Sequence, residues 1–350
     1  MIVANNERPG IYSGIEVSSA ISGSSTGKTV GIAAVSAGGS KGECSSISSY
    51  GEAVSLYGAD CNLTELIRIL LLNGAAGIKA VPAAVATEAV TADYTAAFAV
   101  LTEKEDVTLM LCDSRGDEVL GAIKTAIEGA SENCKYRIGI AECVGTVAEA
   151  SVKAAALNYE RMVLVYPALE DSAAITGAAA AALAGLISAG GDPALPVNGA
   201  ELSGLDNFSR IFSDSDITTL VQAGVTPIES AYGSPCVVRG VTTRTKTAGV
   251  TDATWRELTT VLIVDDVIPS VRAALRLKFP RVKNTVQTRG AIRTQVIIEL
   301  ESKLKKEIID AYGAVTAVAD ESDPTVCNVG FDFAVAHGLN RIILSAHISV

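Results

Sequence analysis

The hydrophobic pattern of this chain switches repeatedly between two periods, most clearly between residues 83 and 167. Apolar residues recur at helical spacing over 94–101, 118–134 and 147–158, whereas the short, mostly apolar segments 107–112, 137–141 and 162–166 read as strands. Strands separated by helices of this length imply parallel pairing with right-handed crossovers, a doubly wound type of sheet. Upstream, residues 30–35 form a short apolar strand framed by stretches rich in Gly, Ser and Thr, 18–31 and 37–49. Leu63, Leu66, Ile67, Leu70 and Leu71 mark a helix over 63–73, which Gly74 stops, and 78–81 reads as a strand ending at Pro82.

Downstream the pattern loosens. Residues 172–191 carry no charge and are mostly Ala and Gly, which predicts a buried, tightly packed helix; so few bulky side chains contribute little to transfer into lipid. The region 192–229 is rich in Pro, Gly and Asn and holds short elements. A Thr-rich strand is expected over 237–246 and a continuous apolar strand over 258–264. Asp265 then caps a helix with Pro269 in its first turn. A further helix spans 291–312, with Val296, Leu300, Leu304 and Ile308 at near-heptad spacing and Gly313 at its end. The fold class is therefore α/β: an outer doubly wound α/β domain over 21–250 and a smaller inner α+β domain over 251–330.

The two termini alternate as strands do. Ile342, Leu344, Ala346, Ile348 and Val350 share one face, while Arg341, Ser345, His347 and Ser349 share the other, with Ile343 the one apolar exception. After Arg8-Pro9-Gly10, the residues Ile11, Ser13, Ile15 and Val17 oppose Tyr12, Gly14, Glu16 and Ser18. A terminal strand with no hairpin after it needs an edge to pair with, and that edge can belong to another molecule. Residues 1–20 and 331–350 are thus read as extended β-strand arms.

Composition narrows the function. Of 350 residues 49% are hydrophobic and only 5% aromatic, a soluble α/β make-up, and the formal net charge of −11 opposes nucleic-acid binding as the main task. No basic stretch followed by an apolar run opens the chain, so no secretory signal is read. Seven cysteines without a Cys-x-x-Cys pair are expected to be reduced, partly buried thiols in a cytosolic setting.

Candidate chemistry is sparse. Gly23-Ser-Ser-Thr-Gly27-Lys28-Thr29 has three residues between its glycines where a phosphate-cradling loop needs four, and it precedes a strand rather than a helix. Asp265-Asp266 at a helix head serve capping and the helix dipole. His337 and His347, ten residues apart, have no ligand-spaced Cys or carboxylate beside them. No Gly-x-Gly-x-x-Gly follows a strand. Neither a catalytic residue nor a cofactor or metal site is expected.

Taken in order, several segments resemble the tail sheath proteins of contractile phage tails and of headless R-type bacteriocins. They are Arg8-Pro9-Gly10-Ile11-Tyr12, the run 195–204 (LPVNGAELSG), the run 222–228 (QAGVTPI), Trp255-Arg256-Glu257-Leu258 through Asp265-Asp266-Val267, and the closing strand. The resemblance implies a non-enzymatic subunit that polymerises helically around an inner tube and contracts to drive that tube through a target envelope. Its partners would be further copies of itself, the tube, and baseplate and tail terminator proteins, with no nucleic acid and no stable membrane insertion. It would assemble in the bacterial cytoplasm and then reside in a phage tail or released particle.

In this reading Ile11, Ile15, Val17, Ile342, Leu344 and Ile348 link subunits by strand exchange. The resemblance also places the inner domain next to the tube, so the basic cluster Lys303, Lys305 and Lys306 is the expected tube contact. Lys278, Arg281 and Lys283 form a second cluster. The competing reading is a cytosolic α/β enzyme whose terminal strands pair internally.

Overall fold

The computed structural model describes residues 28–169, 175–205, 208–231, 233–340 and 342–348. The N-terminal arm with Ile11, Ile15 and Val17 lies outside the described residues.

The chain runs β1 (Thr29–Ser36), β2 (Ser45–Ile47), α1 (Tyr50–Tyr57), α2 (Asn62–Leu72), β3 (Gly77–Val85), α3 (Thr91–Glu103), β4 (Val107–Cys112), α4 (Asp117–Glu132), β5 (Ile138–Glu142), α5 (Val147–Leu157) and β6 (Met162–Tyr166). It continues through α6 (Ala178–Ala189), α7 (Asp214–Ala223), β7 (Val225–Ala231), β8 (Ser234–Val237) and a two-rung hairpin, β9 (Lys246–Thr247) and β10 (Val250–Thr251). Eight strands form one sheet in the order β2-β3-β1-β4-β5-β6-β7-β8. Its six inner strands are parallel, and β2 and β8 are antiparallel edges.

Side-chain alternation along the strands divides the interior into two layers. Val30, Ile32 and Ala34 of β1 face α1, α2 and α6; Ala33 faces the layer built by α3, α4, α5 and α7. Strands buried on both faces read as continuous apolar runs, which is why the alternation of elements was visible in the sequence. The predicted Ala-rich helix is α6, buried from Ala178 to Gly185. A Cβ on Gly185 would lie 2.7 Å from the Leu70 carbonyl oxygen, so the small residues let α6 press onto α2.

Pro82 does not end β3 but sits inside it, opposite Ala34. Its carbonyl accepts from Gly42 N–H on the outer side, where pairing with β2 has already stopped at Ala80, so its missing donor leaves no rung unfilled. The Thr-rich stretch is also not one strand. Beyond Val237 it crosses the ends of the sheet, its hydroxyls bonding backbone instead: Thr243 donates to the Tyr159 carbonyl (3.0 Å) and Thr242 to that of Trp255 (2.7 Å).

The largest correction concerns residues 258–264, which open a helix, α8 (Leu258–Lys278), rather than forming a strand. Asp265 therefore caps nothing, and Pro269 lies mid-helix, where it removes one backbone bond. The run is apolar on both sides because α8 serves two cores: Leu258, Val261 and Leu262 join the sheet layer, whereas Ile263, Val267 and Val271 pack with Val296, Leu300, Ile308, Ile309 and Val315. Helix α9 (Val286–Lys305) stops earlier than its spacing predicts, because Glu307 takes a left-handed conformation (φ +57°) and turns the chain into a strand.

All seven cysteines are free. Burial pushes the Cys112 and Cys143 thiols up to about 12, while Cys134 is exposed. Iodoacetamide at about pH 8 should therefore label Cys134 in the native protein and spare Cys112 and Cys143, as read by peptide mass spectrometry. Prompt labelling of Cys112 would mean that the sheet opens readily.

Candidate assembly site: an open hairpin and an unpaired terminal segment

The strand after α9 begins a long bent hairpin. β11 (Ile309–Tyr312) pairs with β14 (Phe333–Val335), and β12 (Thr316–Ala319) pairs with β13 (Cys327–Gly330), both antiparallel. Gly313 N–H donates to the Asp332 carbonyl (3.0 Å) across the break between the two ladders. One face is partly covered: Val329, Phe331, Phe333 and Val335 rest on the small core, with the rings of Phe331 and Phe333 stacked 6.3 Å apart. Among the described residues each ladder has only two strands, so both long edges keep a row of unpaired backbone donors and acceptors. The sequence reading gave Phe333–Val335 to the C-terminal arm. Their pairing with β11 makes them part of the hairpin.

The described residues 342–348 form no strand within the chain. Ile342, Leu344 and Ile348 are 81%, 90% and 87% exposed. The alternation that reads as a half-buried strand is thus present in the sequence, while the surface that would bury it lies elsewhere than in this chain's described residues. Three large aliphatic side chains left in water forgo about 1.5–3 kcal/mol each.

The lysine cluster is split. Lys303 is buried to 9% exposure and pairs with Asp266 of α8, so its charge is committed inside the chain, whereas Lys305 and Lys306 are exposed. The neighbouring Asp265 points the other way and pairs with Arg161 (2.7 Å), at the start of β6. Its carboxyl is raised by burial, against the opposing effect of Arg161. The two adjacent carboxylates therefore tie α8 to α9 and to the large sheet. Among the described residues no group of three or more His, Cys, Asp or Glu side chains is placed to ligate an ion.

A doubly wound sheet usually binds ligands at the carboxyl ends of its strands where the strand order reverses, here between β1 and β4. Two carboxylates of the chain itself fill that end. Asp113 accepts from Val35 N–H (3.0 Å), from Asn62 Nδ2 (3.1 Å) and from the Tyr94 hydroxyl, whose own pKa is pushed up by burial and by this carboxylate. Glu142, at the end of β5, accepts from Gly177 N–H (2.7 Å) and Ala179 N–H (2.8 Å) at the start of α6 and from Arg115 Nε (2.7 Å). It occupies the place an anionic ligand takes at a helix N-terminus. Sequence reasoning missed both residues, although each directly follows or ends a buried apolar strand.

The chain thus joins a largely parallel sheet, with its own carboxylates at the carboxyl ends of the strands, to a hairpin whose edges are open among the described residues. Comparison with known proteins agrees. Residues 250–349 match the family model of the phage tail sheath C-terminal domain. The whole fold is shared with the sheath of the anti-feeding prophage in its contracted state (TM-score 0.73, 17% identity, 98% of this chain and 100% of that one). It is shared equally with the sheath tail proteins of Desulfitobacterium hafniense (TM-score 0.70, 11% identity, 93% and 100%) and of Listeria innocua (TM-score 0.70, 9% identity, 88% and 95%). No curated protein sequence matches the chain. The resemblance drawn from the ordered sequence segments and the α/β fold class expected from the alternation are both borne out. Among the described residues, no helix is long and apolar enough to cross a membrane.

Proposed function

We propose that this chain is the sheath subunit of a contractile injection system, such as a phage tail, and that it has a structural rather than an enzymatic role. The observation that carries the reading is an unmet demand for strand pairing among the described residues. A hairpin with two open edges and an exposed, alternating apolar segment occur on the same chain, so that in a polymer the segment of one copy supplies the strand the next one lacks. Helical self-assembly and association with a baseplate follow from this reading, and the likeness to the anti-feeding prophage sheath in its contracted state supports the first of them. Residues 1–20 and those after Val335 act as the arms, the large sheet forms the outer part, and the hairpin with α9 forms the inner, tube-facing part. Electron microscopy of the purified protein tests this: hollow tubes or rings are expected, and a monodisperse monomer at every concentration and salt would reject it.

Within that reading the tube contact falls to Lys305 and Lys306, the exposed pair at the end of α9, and not to Lys303. An interface that must let go during contraction is better served by exposed charges than by a large apolar contact. The double change Lys305→Glu, Lys306→Glu should give sheaths that are empty or contracted early, as counted in micrographs of complete particles. Extended particles with tubes inside would remove this helix end from the contact.

A further inference from the structure

Between the end of the hairpin at Val335 and the exposed segment from Ile342, the chain does not hang free. It crosses to the large sheet and is seated against the loop 196–198. Asn198 Nδ2 donates to Asn340 Oδ1 (2.6 Å), and the other end of the same amide, Asn198 Oδ1, accepts from Gly240 N–H (2.9 Å). One side chain thus bridges the root of the terminal segment to the backbone of the outer part. Gly338 passes so close to Pro196 that an added Cβ would lie 2.9 Å from its Cγ, a separation that only glycine tolerates without displacement. His337, Gly338 and Asn340, together with Pro196, Asn198, Glu257 and neighbouring residues, enclose a cavity of about 40 Å³, room for about one water.

We propose that Asn198 and Pro196 form a seat that sets where, and in which direction, residues 342–350 leave their own subunit, with Asn198 and Asn340 acting as positioning residues for strand exchange. The inference rests on the sheath reading for its purpose but not for its geometry. The segment's departure point belongs to the outer sheet and the start of α8, because the seat is built from the loop 196–198, Gly240 and Glu257 and not from the hairpin. When one copy moves against the next, the origin of its arm then follows the outer part, and the bend between copies is confined to the few residues after Asn340. A tail rooted only at Val335 would have residues 336–340 as extra slack, about 3.3 Å for each, and neighbouring copies would meet at ill-defined spacing.

The test uses the full chain kept below its assembly concentration, with trypsin cleavage after Arg341 as the readout, followed by micrographs of assembled material. Asn340→Leu removes the acceptor without touching the Asn198–Gly240 bond, and Gly338→Val drives a branched side chain into Pro196. Each should speed loss of the terminal segment about fivefold, the factor expected when one net hydrogen bond no longer holds the root closed. The thermal midpoint should not change, and any tubes formed should vary in twist and rise. Asn340→Asp keeps the acceptor oxygen and should behave as the unaltered chain. Cleavage of both variants at the unaltered rate would overturn the seat, whether or not tubes form. Failure of the unaltered chain to polymerise, with the cleavage difference present, would overturn the sheath reading and leave the seat standing.

Discussion

Removal of residues 341–350 is expected to abolish tube formation completely while leaving the thermal midpoint and circular dichroism of the subunit unchanged. The described side chains of this segment contribute nothing to any core of their own chain, so its loss has no folding cost. Its effect on assembly is large because the balance is close. Burying Ile342, Leu344 and Ile348 on a neighbour yields about 5–9 kcal/mol. Ordering ten residues costs about 10–20 kcal/mol in backbone entropy, more than that burial returns. The ladder hydrogen bonds, and the simultaneous engagement of several copies in one polymer, then decide the sign. Replacing Leu344 with Pro, which deletes one donor and bends the strand, should act in the same direction. Sedimentation and electron microscopy of the truncated protein check both points, and tubes formed by the deletion variant would refute strand exchange by this end.

The second large effect is expected at Glu142. Its carboxylate is buried, it satisfies the first N–H groups of α6, and it faces the guanidinium of Arg115. Changing Glu142 to Ala leaves a partly buried cation and a helix N-terminus without their carboxylate, which should cost about 2–4 kcal/mol in urea unfolding. Glu142→Gln keeps one acceptor and should lose less. A cost below about 1 kcal/mol for the alanine variant would mean that water replaces the carboxylate and that this end of the sheet is less closed than its geometry indicates.

Much of this architecture was legible because parallel strands buried on both sides carry unbroken apolar runs. Residues 107–112 and 162–166 were bounded to the residue. The errors have one physical origin, which is that short-range pattern does not say what surrounds an element. Residues 258–264 carry no charge, and only Thr259 and Thr260 are polar, because two cores flank them; so short and apolar a helix segment cannot be told from a strand by period alone. Thr242 and Thr243 look like strand residues until their hydroxyls are seen to replace a missing ladder. At the assembly site the alternation of the tail was visible, yet Lys303 could not be distinguished from Lys305 and Lys306, since what separates them is Asp266, some forty residues earlier on another helix. The seat at Asn198 lay within the recognised run LPVNGAELSG, but nothing local indicated that its partner would be Asn340.

Helix α8, whose 21 residues span about 31 Å, is counted by both hydrophobic interiors. A load applied to the hairpin is therefore passed through α8 into the large sheet, with no linker to absorb it. In a sheath of the kind proposed, such a shared helix would turn a pull on one strand into movement of the whole subunit, so that each copy would act as a gear tooth and not as a spring.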